Sequence, residues 1–230
     1  MVAGAPPALA SRAGAQPVGG YPGEVILAVD TSLGTAVALL GADGAALADV
    51  VRPGALGHAE AIGDLLREAL AAEEQPVTHV VAGMGPGPFT GLRIGIAAAR
   101  AFALGRGVPV VGVPSHAGAA LAVIEDEAPA GAFAIVTDAR RREAAVTVYE
   151  GLDLDGIPHP VVETVLVPRA EVESRLSGIP RHETEVLSAA ALARVGRRAI
   201  AAGRVLAGPE PLYLRAPDAR PAVAPKRVGA

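Results

Sequence analysis

The sequence predicts an α/β protein of two half-domains, each a mixed sheet flanked by helices. Three observations predict it. Apolar strand-like runs alternate with helix-period segments from residue 24 onward. In the first half, hairpin signals precede strand–helix–strand units, and that order builds a sheet with both antiparallel and parallel pairs. A strand ending in Asp, followed by a turn and another strand, occurs at Asp30 and again at Asp138. The two halves therefore read as related.

The elements follow in order. Residues 24–30 form an apolar run closing on Asp30, and 31–34 a turn. Residues 35–40 and 45–51 are strands joined by the hairpin signal Gly41-Ala-Asp-Gly44. Over 58–72, Ile62, Leu65, Leu66, Ala69 and Leu70 share one face, the signature of an amphipathic helix. A strand at 77–82, a Gly-rich loop, a helix at 91–104 and a strand at 108–113 come next. Ser115 is placed to cap a helix running to 124. The second half starts with strands at 133–137, 144–149 and 161–167. Helices at 169–176 and 188–202 complete it. The boundaries expected are a disordered leader at 1–22, a first half-domain at 23–124 and a linker at 125–131. A shortened second half-domain at 132–208 and a Pro-rich tail at 209–230 follow.

Composition limits the chemistry. Hydrophobic residues make up 51% of the 230 and aromatics 3%, so Val, Leu, Ile and Ala must fill the core. The absence of Cys removes disulfides, thiolate catalysis and Cys-ligated metals, and fits a cytoplasmic setting. A net charge of −4 gives no global attraction to nucleic acid or anionic membrane. The stretch 107–124, without Asp, Glu, Lys or Arg, holds Pro109, Pro114 and His116 and changes pattern midway; it is a strand and a helix, not a span. The leader has one charge, Arg12, and no basic start with a clean apolar run, so it does not read as a signal peptide.

The loop Gly83-Met-Gly-Pro-Gly-Pro-Phe-Thr-Gly-Leu-Arg93 enters a helix as an anion cradle would. Pro86 and Pro88 carry no N–H, however, and Pro88 occupies the third Gly position of a dinucleotide fingerprint. Residues 101–115 lack the acidic partner, and no Gly is followed by Lys and Ser or Thr. The loop is read as rigid and structural. Its helix, capped by Thr90, is apolar nearly all round, with Arg93 and Arg100 its charges over 91–104. Such a helix is buried on more than one side, either by its own domain or by a partner.

Val25-Ile-Leu-Ala-Val-Asp-Thr-Ser32, the loop extended to Ile96, Thr137-Asp-Ala-Arg-Arg141 and Glu210-Pro-Leu-Tyr-Leu-Arg215 resemble the TsaB family, in the right order from about residue 24 to 215. That family is the dimerisation subunit of the bacterial tRNA threonylcarbamoyladenosine machinery. The resemblance implies an actin-like, hexokinase-like (ribonuclease-H-like) fold. It implies a non-catalytic scaffold that pairs with TsaD, which carries catalysis, with the ATPase TsaE in the larger complex. Together these transfer threonylcarbamoyl to N6 of the adenosine beside the tRNA anticodon. The surface matching the TsaD-facing one holds His58, Ile62, Leu66, Arg93, Ile94, Gly95, Ala98 and Phe102. Family members usually carry a further strand between the two late helices, where this chain has only 177–185.

Other readings use the same residues. A small ATP-dependent phosphotransferase of the actin-like superfamily is the alternative. Asp30, Thr31 and Asp138 would then be vestigial phosphate-loop residues, but Asp138 is followed by Ala139 and three Arg rather than Gly, and no late Gly-Gly exists for an adenosine. The bland reading has Asp30 and Thr31 ordering their own turn. A metal site would need two His one helical turn apart; His58 is followed there by Ile62. No cofactor and no metal are expected, and no Ser/His/Asp grouping supports a peptidase. A homodimer of the lone chain would use the same apolar helix. Arg140, Arg141 and Arg142 read as a solvated turn; with Arg215, Arg220, Lys226 and Arg227 they offer at most an indirect role toward tRNA phosphates.

Overall fold

The computed structural model describes residues 23–54 and 57–215. The expected leader, 1–22, and the tail beyond 215, with Arg220, Lys226 and Arg227, lie outside the described residues.

The first half begins with β1 (Ile26–Asp30), β2 (Thr35–Leu40) and β3 (Ala46–Arg52). Then come α1 (His58–Leu70), β4 (His79–Gly83), α2 (Phe89–Arg106), β5 (Val110–Val113) and α3 (Ser115–Glu127). The sheet order is β3-β2-β1-β4-β5, antiparallel on the β1–β2–β3 side and parallel on the β1–β4–β5 side. Every residue of β1 and β2 is buried, which explains their unbroken apolar runs: both faces of the sheet are covered.

Alternate residues serve different layers. Leu27, Val29, Val37 and Leu39 face α1 and α2, meeting Leu65, Leu92 and Ile96. Ile26, Ala28, Ala38 and Leu40 face the other way, toward Leu121 of α3 and Leu192 and Val195 of α5 (Ala189–Ala201). Chain order therefore does not divide the core. The last helix fills the second face of the first sheet, and Gly196 makes the approach: a Cβ there would stand 2.3 Å from Val81 Cγ2.

The second half repeats the plan. β6 (Phe133–Asp138), β7 (Glu143–Leu152), β8 (Pro158–Pro168), α4 (Val172–Arg175) and β9 (Arg181–Glu183) give the order β8-β7-β6-β9, with β9 parallel to β6. This matches β3-β2-β1-β4, the actin-like arrangement of two mixed sheets. The segment 177–185, which the sequence presents as a bare connection, holds β9. The sheet has four strands rather than the three its apolar runs suggest.

Two helix starts differ from expectation. α2 begins at Phe89, with Pro88 at the cap position (φ −62°, ψ 137°) and no side chain capping it, so Thr90 lies inside the first turn. The ring of Pro88 already fixes the φ that the chain needs on entry. Ser115 is the first residue of α3, not its cap, because its hydroxyl is engaged elsewhere.

The C-terminal segment ties the halves together. Leu212 N donates to Met84 O (2.7 Å) in the first half. Tyr213 packs on Phe89 with centroids 4.5 Å apart. Two residues on, Arg215 Nη1 donates to Ala139 O (2.9 Å) in the second half, and its other terminal nitrogen pairs with Glu143.

Candidate functional site

In open α/β sheets, ligands meet the protein at the carboxyl ends of the parallel strands. Here β1 ends in Asp30 and β4 in Gly83. Asp30 is buried, and both its oxygens are engaged. Oδ1 accepts from Ser32 N (2.7 Å) and from the Ser32 hydroxyl, and Oδ2 accepts from Ser115 Oγ (2.5 Å). Ser115 Oγ in turn accepts from Gly85 N (3.0 Å), and Thr31 Oγ1 donates to Gly91 O (2.7 Å).

The glycines of the loop make this possible by close approach. A Cβ on Gly87 would lie 2.7 Å from Ser32 Cα, and one on Gly91 would lie 2.7 Å from Thr31 O. Both obstacles are backbone, which cannot swing aside. Gly83 and Gly95 meet the Asp30 carboxylate and the Thr31 side chain, at 1.8 and 2.1 Å for a built Cβ. The loop is thus packed onto the 30–32 turn, and the groups a phosphate would need are turned toward their own chain.

The counterpart in the second half is arranged differently. Asp138 is exposed, and its Oδ1 accepts a long bond from Arg140 N (3.3 Å). Arg140, Arg141 and Arg142 are all exposed and all left-handed, with φ of 61°, 53° and 63°. A left-handed residue with a Cβ costs roughly 1–2 kcal/mol. Ala139 N to Glu143 O (3.0 Å), Arg169 N to Arg142 O (2.7 Å) and the Arg215 contacts hold the turn in place.

Between the two turns lies a cleft of ≈610 Å³. The start of α1, residues 86–91 at the entry to α2, residues 137–141 and the end of the tying segment line it. His58, Glu60, Asp138 and Arg140 face it. His58 is nevertheless buried, with Nδ1 2.9 Å from Thr35 Oγ1, and Ile62, one turn on, is a core residue. Among the described residues no three His, Cys, Asp or Glu side chains come together to hold a metal.

The residues placed on the partner-facing surface divide into three groups. His58, Ile62 and Gly95 point inward. Leu66, Ile94, Ala98 and Phe102 are half-buried, and all but Ile94 pack at the rim of the α1/α2 core layer. Arg93 is exposed, donates from Nε to Tyr213 Oη (3.0 Å), and lies 5.8 and 5.7 Å from the Phe89 and Tyr213 ring centroids. Outward of these, the two helices present Ala59, Gly63, Ala97, Ala101 and Leu104, all exposed.

Sequence reasoning missed one polar constellation. His116 is completely buried, with Nδ1 2.7 Å from Thr147 Oγ1 and Nε2 3.0 Å from Thr137 Oγ1, while Thr147 Oγ1 is 2.8 Å from Thr164 Oγ1. Burial pushes its pKa down to about 3, so the ring is neutral. Ser115 thus reaches into the first half and His116 onto two strands of the second, with Thr147 passing the chain of bonds to a third. Two adjacent residues join the halves. No local pattern marks them, because their partners are 21 to 85 residues away.

Comparison with known proteins adds the following. The family profile described as "TsaD: tRNA N6-adenosine threonylcarbamoyltransferase" matches residues 54–165. An uncharacterized protein of Mycobacterium tuberculosis is 35% identical over 215 residues, spanning 85% of this chain and 94% of its own length. One from Mycobacterium leprae is 33% identical over 218 residues, and the match spans 87% of this chain but 57% of that protein. Among solved structures, YeaZ from Pseudomonas aeruginosa superposes with a TM-score of 0.67 at 24% identity, covering 83% of this chain and 100% of that one. A Pseudomonas aeruginosa protein described as similar to peptidase YeaZ gives 0.69, also at 24% identity, covering 84% and 100%. Among the described residues no helix is long and apolar enough to cross a membrane.

Proposed function

We propose that the chain is a TsaB-type, non-catalytic subunit of a tRNA-modifying assembly, docking a TsaD partner through the outward faces of α1 and α2. The observation that carries this reading is a set of exposed small residues on the two helices, Ala59 and Gly63 on α1 and Ala97 and Ala101 on α2, set among Glu60, Asp64, Arg67 and Arg100. Gly63 has nothing within 4 Å of a built Cβ, so a second helix has room to come close. Leu66, Ala98 and Phe102 supply apolar area beneath it. In this role the chain holds TsaD in a competent arrangement while threonylcarbamoyl passes to N6 of the adenosine beside the anticodon. TsaE joins the larger complex.

The residues also support an accessory role over an enzymatic one. Asp30 and Thr31 are spent on their own loop, and the one-turn partner of His58 is the apolar Ile62. The phosphotransferase alternative would need the 30–32 turn to release the loop glycines.

Co-expression with the TsaD of the same organism, followed by light scattering, tests the reading. Wild type is expected to give a one-to-one complex. Ala98→Arg, and Ala101→Arg at an exposed site less than one turn on, are expected to abolish it while thermal unfolding of the lone chain stays within a few degrees. Full complex yield with both variants would sink the assignment of the surface.

A further inference from the structure

A second cavity, of ≈540 Å³, lies where β7 and β8 meet residues 204–213; Tyr213 is the only lining residue it shares with the cleft. Its volume falls within the usual range of small-molecule sites, roughly 300–1,000 Å³. Met84, Ala117, Ile157, Val205, Leu206 and Leu212 give it aliphatic walls.

The polar side chains on its surface are few and, Arg204 aside, are hydroxyls and carboxylates. Tyr149 is 2% exposed, its ring stacked on Phe133 at 6.2 Å, yet its hydroxyl has no hydrogen-bond partner among the described residues. Among the described residues the fully enclosed side-chain atoms without a partner belong to Glu24 and Arg194, so the Tyr149 hydroxyl opens onto the cavity, where a bound group can reach it. Burial and the nearby Glu163 carboxylate both raise its pKa, so it stays neutral. Glu163 and Glu210 also line the cavity, and neither has an ion-pair or hydrogen-bond partner among the described residues. The one cation on the wall, Arg204, is already held by Asp153 and Asp155. Thr164, at the end of the chain of hydroxyls from His116, adds another oxygen.

We propose that this cavity binds a small organic ammonium carried on a short aliphatic body, with Glu163 as its counter-charge and Tyr149 Oη accepting one of its N–H groups. An ammonium offers three donors and no acceptor, which matches a surface of oxygen acceptors with unpaired negative charge. Anions are disfavoured by the same carboxylates. The aliphatic body displaces water from the apolar walls. This goes beyond partner docking, because the cavity includes no residue of the outward faces of α1 or α2.

The test uses the full chain and three probes of one shape: isoamylammonium, isoamyl alcohol and isovalerate. Titration is followed by saturation-transfer NMR. The ammonium is expected to bind saturably, about tenfold more tightly than the alcohol, with no binding of the carboxylate. Glu163→Gln should reduce the ammonium to the level of the alcohol. Tyr149→Phe keeps the stacked ring and should weaken the ammonium about threefold or more, with an unchanged circular dichroism spectrum. No saturable ammonium binding at millimolar concentration, or equal affinity for all three probes, overturns the proposal. So does indifference to Glu163→Gln.

Discussion

The two halves share a strand order and an Asp at the end of the first strand, but they treat the turn after it in opposite ways. In the first half, Asp30 is sealed: four glycines bring the loop and the start of α2 down on the 30–32 turn, and Ser32 and Ser115 satisfy its oxygens. In the second half, Asp138 is open to the cleft, followed by three exposed left-handed arginines where glycine would sit without strain. One topology thus supports a packed junction and a strained, solvated one. The first turn has become part of the core; the second is kept in shape by contacts from elsewhere, above all Arg215.

The strongest way to break the comparison is to remove both carboxylates in turn. Asp30→Ala leaves Ser32 and Ser115 without their buried acceptor and is expected to cost about 3 kcal/mol, whereas Asp138→Ala should stay within about 0.5 kcal/mol. Denaturant unfolding of the two variants measures this directly. Equal losses would mean that the two turns carry equal weight.

A second pair of substitutions should move stability in opposite directions. Gly91→Ala forces a methyl against the Thr31 carbonyl and should lose about 2 kcal/mol. Arg142→Gly relieves a left-handed backbone at an exposed site and should gain about 0.5–1 kcal/mol. Both are read from the shift in unfolding midpoint at constant slope. A destabilising Arg142→Gly would show that its side chain, and not its backbone, matters to the turn.

The joint between the halves gives the third prediction. His116 has a folded pKa pushed from 6.5 down to about 3, so the unfolded chain takes up a proton that the folded chain refuses. Its contribution is complete above about pH 6.5 and is lost as pH falls from there toward 3, by up to about 1.4 kcal/mol per unit. Stability measured between pH 7 and 5 should fall less steeply in His116→Gln than in wild type. The same slope in both would mean that the imidazole protonates within the fold.

Much of the architecture is legible in the sequence because it rests on long apolar signals. The runs that became β1, β2 and β4, the hairpin at 41–44 and the face of α1 all have the expected period, and the fold class follows from their order. β9 carries no such signal: Arg181, His182 and Glu183 are polar, and the strand exists because the free edge of β6 accepts it. The place of α5 is equally hidden. Leu192, Val195 and Ala199 announce a buried face but do not say which sheet it meets. At the candidate site the motif residues could be found, but their roles depended on distant partners. Ser115 has the look of a cap and serves Asp30 instead. Nothing in Arg140–Arg142 as residue types suggests φ above zero, because the conformation is imposed by Glu143, Arg169 and Arg215.

The position of α5 has a consequence for how the chain is made. The first sheet is nearly all in place by residue 113, yet the helix that covers Ile26, Ala28, Ala38 and Leu40 spans 189–201. During synthesis that apolar face must wait for roughly 90 further residues, at about 5–20 residues per second. Contacts of such sequence separation also slow folding of the released chain. The nascent first half is therefore a natural client for chaperones, and its vulnerable interval ends only after residue 201 has left the ribosome.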